Sequence, residues 1–288
     1  MAFDVHLVDG TYELFRYHYS PANKDSKRGA TKGVVSSALA LIDAGATHVG
    51  VATDHVIESF RNDLWPTYKD GSGVEWDLKA QFPVVEDALR AFGFTVWPMV
   101  EQEADDALAA AAAIADADPR VDRAIICTPD KDLGQCVTDK VWQWDRRQDK
   151  WFDAAGVHER LGVLPAFIPD LLALVGDSAD GFPGLPGWGA KSAAAVLDRW
   201  GHLEDIPADP ITWDAGVRSA AKLNQTLREQ FELALLFRRI ATVETDAEVG
   251  TIDSWRWTGP TPDAAAAAAE FGDPRVAERA ERLAAKLA

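Results

Sequence analysis

The sequence predicts an α/β fold, a mostly parallel twisted sheet with helices on both faces, followed by a helical region. Three observations carry this. Short apolar runs alternate with stretches of helical spacing over the first half of the chain. Three of those runs end directly on an aspartate: Asp9, Asp54 and Asp130. Beyond about residue 150 the strand-like runs give way to helical, glycine-punctuated texture. Strands alternating with helices imply a parallel sheet covered on both faces, and ligands of such sheets sit beyond the carboxyl ends of the strands.

Taken in order, Val5–Val8 is a short apolar strand closed by the turn signal Asp9-Gly10. Thr11–Tyr19 is aromatic-rich and reads as helix, residues 21–33 (PANKDSKRGATKG) as a polar, basic loop, and Val34–Asp43 as helix. Thr47–Ala52 is a second strand, running to Thr53-Asp54. Arg61–Gly73 mixes aromatic, basic and glycine residues and reads as mobile. Phe82–Phe92 has amphipathic helical spacing and Thr95–Met99 reads as a third strand. Asp105–Ala115 is a helix, Ala124–Cys127 a fourth strand and Lys140–Trp144 a fifth. Leu171–Val175 leads into a glycine-rich turn and a further helix, Arg218–Ile240 reads as one long helical stretch, and Ala264–Ala269 as a peripheral alanine helix.

A chain of 288 residues with 47% hydrophobic content can bury a core as one large domain or two small ones. Its formal net charge of −17 argues, by itself, against a general nucleic-acid binder, whose footprint is basic. It suits a protein whose acids are partly neutralised by metal. The two cysteines, Cys127 and Cys136, have no zinc spacing and fit a reducing compartment. There is no run of the ~18 or more apolar residues that a membrane span needs. The opening MAFDVHLVDG carries acids where a signal peptide would be apolar, so the expected location is the cytoplasm.

The acids are the chemical signal. One strand-end edge collects Asp9 and Asp54, then Glu103, Asp105 and Asp106, then Asp130 and Asp132, with Asp177 and Asp180 from the next segment. Glu103 and Asp106, three apart, share a helix face, whereas Asp105 points elsewhere unless the helix starts after Glu103. Asp130 and Asp132 share a face if extended. Each acid alone has a plain explanation: Asp105 and Asp106 complement a helix macrodipole, and Asp9-Gly10 is a turn. Those explanations do not require convergence on one edge. An all-carboxylate set favours Mg2+ or Mn2+ over zinc. Two such ions activate a water and stabilise the leaving oxygen of a phosphodiester.

Gly184-Leu185-Pro186-Gly187-Trp188-Gly189-Ala190-Lys191-Ser192 lies between two helical stretches. Glycines allow close backbone approach, and the N–H groups opening the next helix suit a phosphate, with Lys191 adding charge. The order GxxxxGK[ST] fails, so this is no P-loop. The alternative is a tight helix–helix turn with a C-cap glycine.

With these residues in view, the chain resembles the 5′-nuclease family: the 5′→3′ exonuclease domain of bacterial DNA polymerase I, its stand-alone bacterial and phage relatives, and the flap endonucleases. Val8-Asp9-Gly10, Asp54, Phe60-Arg61, Tyr68-Lys69, Glu103-Ala104-Asp105-Asp106, Asp130-Lys131-Asp132-Leu133, Gly176-Asp177-Ser178-Ala179-Asp180 and the hairpin GLPGWGAKSA occur in family order over about residues 4–245. The resemblance implies a PIN-like nuclease core over 1–160 with a short arch at about 61–82. It implies a helical region over 161–250 with a helix-hairpin-helix at about 171–200, and a tail at 251–288 packing on the core. It implies a metal-dependent 5′→3′ exonuclease and flap endonuclease that works near 5′ ends and single-strand/double-strand junctions.

In that family reading Asp9, Asp54, Glu103, Asp105 and Asp106 form or flank one metal site, and Asp130, Asp132, Asp177 and Asp180 form the second. Lys69 is the active-site lysine beneath the arch, Tyr68 stacks on a terminal base and Arg61 contacts phosphate. Gly184, Gly187, Gly189, Lys191 and Ser192 grip duplex backbone. The resemblance adds K+ held by the main-chain carbonyls of Gly184, Leu185 and Trp188. The plain alternatives are a solvated loop lysine for Lys69, a core aromatic for Tyr68 and an ordinary surface arginine for Arg61. The implied partners are DNA with 5′ flaps, nicks or 5′ ends, RNA primers among them; a monomer and a polymerase acting in trans are expected. Two departures stand out. Ser72 occupies the place of a basic arch residue, followed by the acidic GSGVEWDLKAQ, and Trp188 replaces a small aliphatic residue in the hairpin. The first motivates a competing reading, a structure-selective nucleic-acid-binding protein with weak or lost catalysis.

Overall fold

The computed structural model describes residues 2–23, 26, 28–213 and 216–287. The described chain forms two compact units, each assembled from separated stretches. The first takes residues 1–57, 71–128 and 244–288, and the second residues 58–70 and 129–243.

The first unit is built on four parallel strands, β1 (Phe3–Asp9), β2 (His48–Asp54), β3 (Thr95–Met99) and β4 (Val121–Cys127), in the order β3-β2-β1-β4. Val5, Leu7, Val49, Val51, Ala124 and Ile126 are all buried, as expected where helices cover both faces of a parallel sheet. Helix Ala104–Ala117 packs across all four strands through its alanines. Gly10–His18, Gly29–Asp43 and Phe82–Ala91 pack on one another, and the first and last of them also on the strands. Small residues set the spacing. A Cβ on Gly50 would lie 2.0 Å from the Trp97 ring, so β2 must carry glycine beneath that indole. The C-terminal stretch returns to the same unit: Trp257 N donates to Thr47 O, and Trp255 meets Trp97 edge to face at 5.4 Å.

The second unit holds an antiparallel hairpin, β5 (Val141–Asp145) and β6 (Lys150–Phe152), and helices Phe60–Leu64, Ala154–Leu161, Ile168–Val175, Ala190–Trp200, Ala220–Glu229 and Phe231–Ala241. Its core gathers Tyr68, Leu172, Leu174, Phe182, Leu185, Trp188, Val196, Leu227 and Phe237.

The strand reading holds at Thr95–Met99 to the residue, and β1, β2 and β4 extend past their apolar runs because sheet pairing continues into the polar ends. Three local readings are corrected. The expected loop 21–33 is helical from Gly29, although positions 24, 25 and 27 lie outside the described residues. Glycines at 29 and 33 conceal that helix, and both are required: a Cβ on Gly33 would sit 2.4 Å from the Tyr17 ring. The stretch 218–240 is two helices that part at Gln230 (φ −121°) rather than one. Arg61–Gly73 overlaps the helix Phe60–Leu64, capped by Ser59 and Asn62 in reciprocal hydrogen bonds. Among the elements without a sequence reading are β6 and the helices Trp76–Lys79, Ala154–Leu161 and Arg275–Leu287.

Candidate metal centre and nucleic-acid interface

The candidate acids fall into two sets, one on each unit. In the first unit Asp9 closes β1 and Asp54 closes β2, and Glu103 follows β3 just ahead of helix Ala104–Ala117. The parallel order therefore puts three acids from three adjacent strands at one carboxyl edge, as the alternation of elements predicts. Neutral donors hold them. Asp9 accepts from Tyr12 N at 2.8 Å and from the Thr128 hydroxyl at 2.8 Å, a bond that joins the ends of β1 and β4. Asp54 accepts from Ala104 N at 2.7 Å, and its own N–H donates to Thr11 Oγ1 at 2.8 Å. Glu103 is 4% exposed.

Asp106 is fully buried. One oxygen takes Glu103 N at 2.9 Å and the other takes Glu244 N at 2.7 Å. It caps the helix and fastens the returning C-terminal stretch, a structural role the sequence reading did not give it. Asp105, the next residue back on the same helix, is half-buried. Among the described residues no three acids of this set bring one oxygen each within 4.8 Å of one another.

The second unit does have such a trio: Asp132, Asp177 and Asp180 each offer an oxygen, all within 4.8 Å. Backbone turns deliver them. Gly176 (φ 78°) ends helix Ile168–Val175, and the loop Asp177–Phe182 is clasped by Asp177 N–Phe182 O (2.9 Å) and Phe182 N–Asp177 O (3.1 Å). Gly181 (φ 83°) lets the preceding segment dock on that loop, since a Cβ there would lie 2.1 Å from Thr67 O. Across this contact Lys69 N donates to Asp180 O at 3.0 Å, and Lys69 Nζ meets Asp180 Oδ1 at 3.1 Å. Asp130 does not join the trio; its carboxylate accepts Asp132 N at 3.0 Å and its carbonyl accepts from Gln143 Nε2. Asp130 thus braces the loop carrying Asp132, with its charge beside the trio.

Lys131 is the residue that sequence reasoning passed over, although it stands between two acids in DKD. Its ammonium bonds Asp177 Oδ2 and lies 3.1 Å from Asp132 Oδ1. Burial pulls the Lys131 pKa down, but Asp132 and Asp177 outweigh it and hold the group above the ordinary lysine value. Burial also pushes Asp132 up, assisted by the Asp130 charge and only partly opposed by Lys131, to about 7. Asp177 goes the other way: burial raises it, and the Lys131 contact overrides burial and lowers it. Thr11 and Thr128, which orient the first set, left no mark in the sequence, since single threonines at strand and helix ends are common.

Two expected contact residues, Tyr68 and Arg61, are placed differently, and Trp188 takes one of its two expected places, beneath the hairpin. Tyr68 is 3% exposed in the core of the second unit, so its ring is not presented to a base. Arg61 is 2% exposed; Nε donates to Ile240 O at 2.8 Å and Nη2 to Thr242 O at 3.0 Å, so it ties helix Phe60–Leu64 to the end of helix Phe231–Ala241 rather than binding phosphate. Trp188 packs beneath the hairpin, with its indole N–H donating to Leu223 O at 3.2 Å. In the hairpin itself Gly184 (φ 67°) is pressed on Gly176, where a Cβ would meet backbone N at 2.3 Å. Gly187 (φ 86°) needs its left-handed conformation, while a Cβ on Gly189 would meet nothing within 4 Å. Ser192 and Gly189 exchange hydrogen bonds that open helix Ala190–Trp200, beside the exposed Lys191. Ser72 is exposed.

Comparison with known proteins assigns the fold these observations describe. The model of the 5′-3′ exonuclease N-terminal, resolvase-like domain matches residues 4–162, more than half of the chain, and that of the 5′-3′ exonuclease C-terminal SAM fold matches 163–263. The chain belongs to the 5′-3′ exonuclease family. DNA polymerase I of Rhizobium leguminosarum is 33% identical over 254 residues, which cover 83% of this chain and 24% of that protein. A 5′-3′ exonuclease of Buchnera aphidicola is 29% identical over 251 residues, covering 84% of this chain and 82% of its own length. The chain thus spans about a quarter of the DNA polymerase I relatives it matches. Among solved structures, T5 5′-exonuclease with bound zinc aligns over 97% of this chain and 98% of its own (TM-score 0.70, 19% identity). The catalytic core of Rad2 in complex with DNA substrate aligns over 100% and 93% (TM-score 0.65, 18% identity). At these identities the structures attest the fold.

The solved T5 5′-exonuclease carries zinc as a divalent ion. The trio is all carboxylate, with no histidine or cysteine, and its oxygens lie at the spacing of hard-cation ligands. The two lysines in contact with it show that these carboxylates draw cations.

Proposed function

We propose that this protein is a structure-selective 5′→3′ exonuclease and flap endonuclease, hydrolysing DNA phosphodiesters near 5′ ends and single-strand/double-strand junctions with the help of two Mg2+ or Mn2+ ions. The observation that carries the reading is the Asp132–Asp177–Asp180 trio with Lys69 docked on it. Asp132, Asp177 and Asp180, with Asp130 beside them, would hold one ion, and Asp9, Asp54, Glu103, Asp105 and Asp106 would hold or orient another. When bound, such ions supply Lewis-acid activation and neutralise charge on the reacting phosphate.

The chain's own residues do the rest. Lys69, anchored by its backbone to Asp180 and half-exposed, offers an ammonium to the non-bridging oxygens of the phosphate as charge develops on them. Thr128 and Tyr12 N fix the Asp9 carboxylate, so it need not reorganise during the reaction. Gly187, Lys191 and Ser192 offer backbone N–H groups and one cation to duplex phosphates, while the bond of Gly189 N to Ser192 Oγ shapes the turn that presents them, which is how an acidic protein holds DNA locally. K+ at the carbonyls of Gly184, Leu185 and Trp188, and RNA primers as alternative 5′ ends, belong to the same reading.

A labelled 5′-flap DNA incubated with Mg2+, with Mn2+ and with chelator tests it. Metal-dependent products cut near the junction are expected. Binding of the flap without cleavage under any divalent ion would sink the enzymatic reading and favour a binding protein.

A further inference from the structure

The hairpin β5–β6 carries a feature that phosphodiester cleavage does not use. Along β5 the side chains alternate: Val141, Gln143 and Asp145 are buried, while Trp142 and Trp144 face outward and are half-buried. Trp144 is paired across the ladder with Trp151. The two indoles lie face to face, centroids 4.5 Å apart and planes 13° from parallel. The Arg146 guanidinium lies 5.5 Å from the Trp144 centroid, and Trp144 Nε1 donates to Asp149 Oδ1 at 3.0 Å, fixing the ring. Trp151, the other member of the pair, is 39% exposed. The hairpin is mounted from its buried face, where Gln143 bonds the Asp130 carbonyl, so the indoles occupy the opposite side of the strand from the metal-centre loop.

Charge on this hairpin also departs from the rest of the chain. The whole protein carries −17, yet from Lys140 to Trp151 there are four basic residues (Lys140, Arg146, Arg147, Lys150) and two acids. One of those acids, Asp145, is 5% exposed and accepts the turn N–H groups of Arg147 and Gln148. The other, Asp149, is engaged by Trp144. Arg147 and Lys150 are exposed. A cross-strand aromatic pair can exist for hairpin stability alone, but stability requires neither an exposed indole nor cations beside it. Flat π-surface flanked by cations is the pattern that takes unpaired bases and their phosphates.

We propose that the Trp144–Trp151 pair, with Arg147 and Lys150, is an accessory single-stranded nucleic-acid site on which an unpaired base stacks on Trp151 while the two cations meet the neighbouring phosphates. It rests on the nuclease reading in that the strand belongs to the same substrate. The site prefers unpaired bases because a base within a duplex has no free face to offer.

The full-length protein in EDTA, where metal-dependent cleavage is stopped, is titrated into fluorescein-labelled single-stranded oligothymidylate and into a duplex of equal length, with anisotropy as the readout. Trp151→Ala is expected to weaken single-strand binding about tenfold, the loss of one stacked base, and to leave duplex binding within twofold. Trp151→Phe retains most of the affinity. Arg147→Ala with Lys150→Ala, both exposed and outside the core, weakens single-strand binding and flattens its dependence on salt. Single-strand affinity within twofold of the parent for both Trp151→Ala and the double variant overturns the site, and would leave the aromatic face to a protein partner. An equal loss on duplex overturns it too. Flap cleavage by the parent in Mg2+ is followed separately: its persistence beside unchanged single-strand binding means this site alone fails, and its absence means the nuclease reading fails.

Discussion

The two acidic sets solve the same electrostatic problem differently. In the first unit, carboxylates at the ends of β1 and β2 are held by neutral N–H and hydroxyl donors: Tyr12 N, Thr128 and Ala104 N. In the second unit, Asp132 and Asp177 are held by the Lys131 ammonium, and Asp180 by Lys69. Neutral donors fix geometry without cancelling charge at the oxygens they bond. Ammonium groups cancel charge at the same oxygens a divalent ion would take, so binding at the second set is an exchange. The lysines thereby keep a trio with two buried acids tolerable, at some cost in metal affinity.

The contrast is broken most directly by removing charge from the trio. Asp132→Asn is expected to lower flap cleavage about 10³-fold or more, the upper range for losing one group that stabilises transition-state charge, while sparing DNA binding. Normal turnover would remove Asp132 from the ion site. The same variant should raise the Tm of the metal-free protein. Burial and like charges hold the Asp132 carboxyl at about 7, against an ordinary 3.8. A raised carboxyl pKa destabilises the fold as pH climbs above the unfolded value, and the penalty is complete above the folded one. The gain from asparagine should therefore be full near pH 8 and vanish toward pH 4 in thermal melts.

Lys69→Ala should lower turnover by about 10²-fold; a change below threefold would place the lysine outside the chemistry. In the first unit the expected sign for stability is reversed. Asp106→Ala leaves Glu103 N and Glu244 N without their acceptor and should cost about 2 kcal/mol, read as a lowered midpoint in urea. An unchanged midpoint would mean that water replaces the carboxylate. Lys131→Met should tighten Mn2+ binding about tenfold, equivalent to about 1.4 kcal/mol, measured by calorimetry in the absence of DNA. Equal or weaker binding would show that the ammonium does not compete for the trio.

Much of this was legible because its cause is local. β3 could be read to the residue because Thr95–Met99 is a short apolar run bounded by polar and glycine signals. The acids were legible because carboxylates at strand ends have few structural reasons to recur on neighbouring strands. The role of Asp106 was not, because it depends on Glu244 arriving from 138 residues away. The same holds for Arg61 and Tyr68. Their residue types suit phosphate and base, and only packing decides whether such a side chain meets solvent or two carbonyls near the end of helix Phe231–Ala241. A unit assembled from three separated stretches leaves no boundary in composition, so the expectation that a tail at 251–288 packs on the core came from the family resemblance and not from composition.

By itself, then, the sequence determined the strands of the parallel sheet and several of its helices, that acids lie at the carboxyl ends of parallel strands, and that a glycine hairpin precedes helix Ala190–Trp200. Periodicity, strand ends and glycine spacing are properties of adjacent residues. Which acids share an oxygen cage, which cations sit on them, and which aromatics are buried or exposed were decided only by tertiary structure. Those outcomes depend on distances between residues far apart in the chain, and on the desolvation that packing imposes on them.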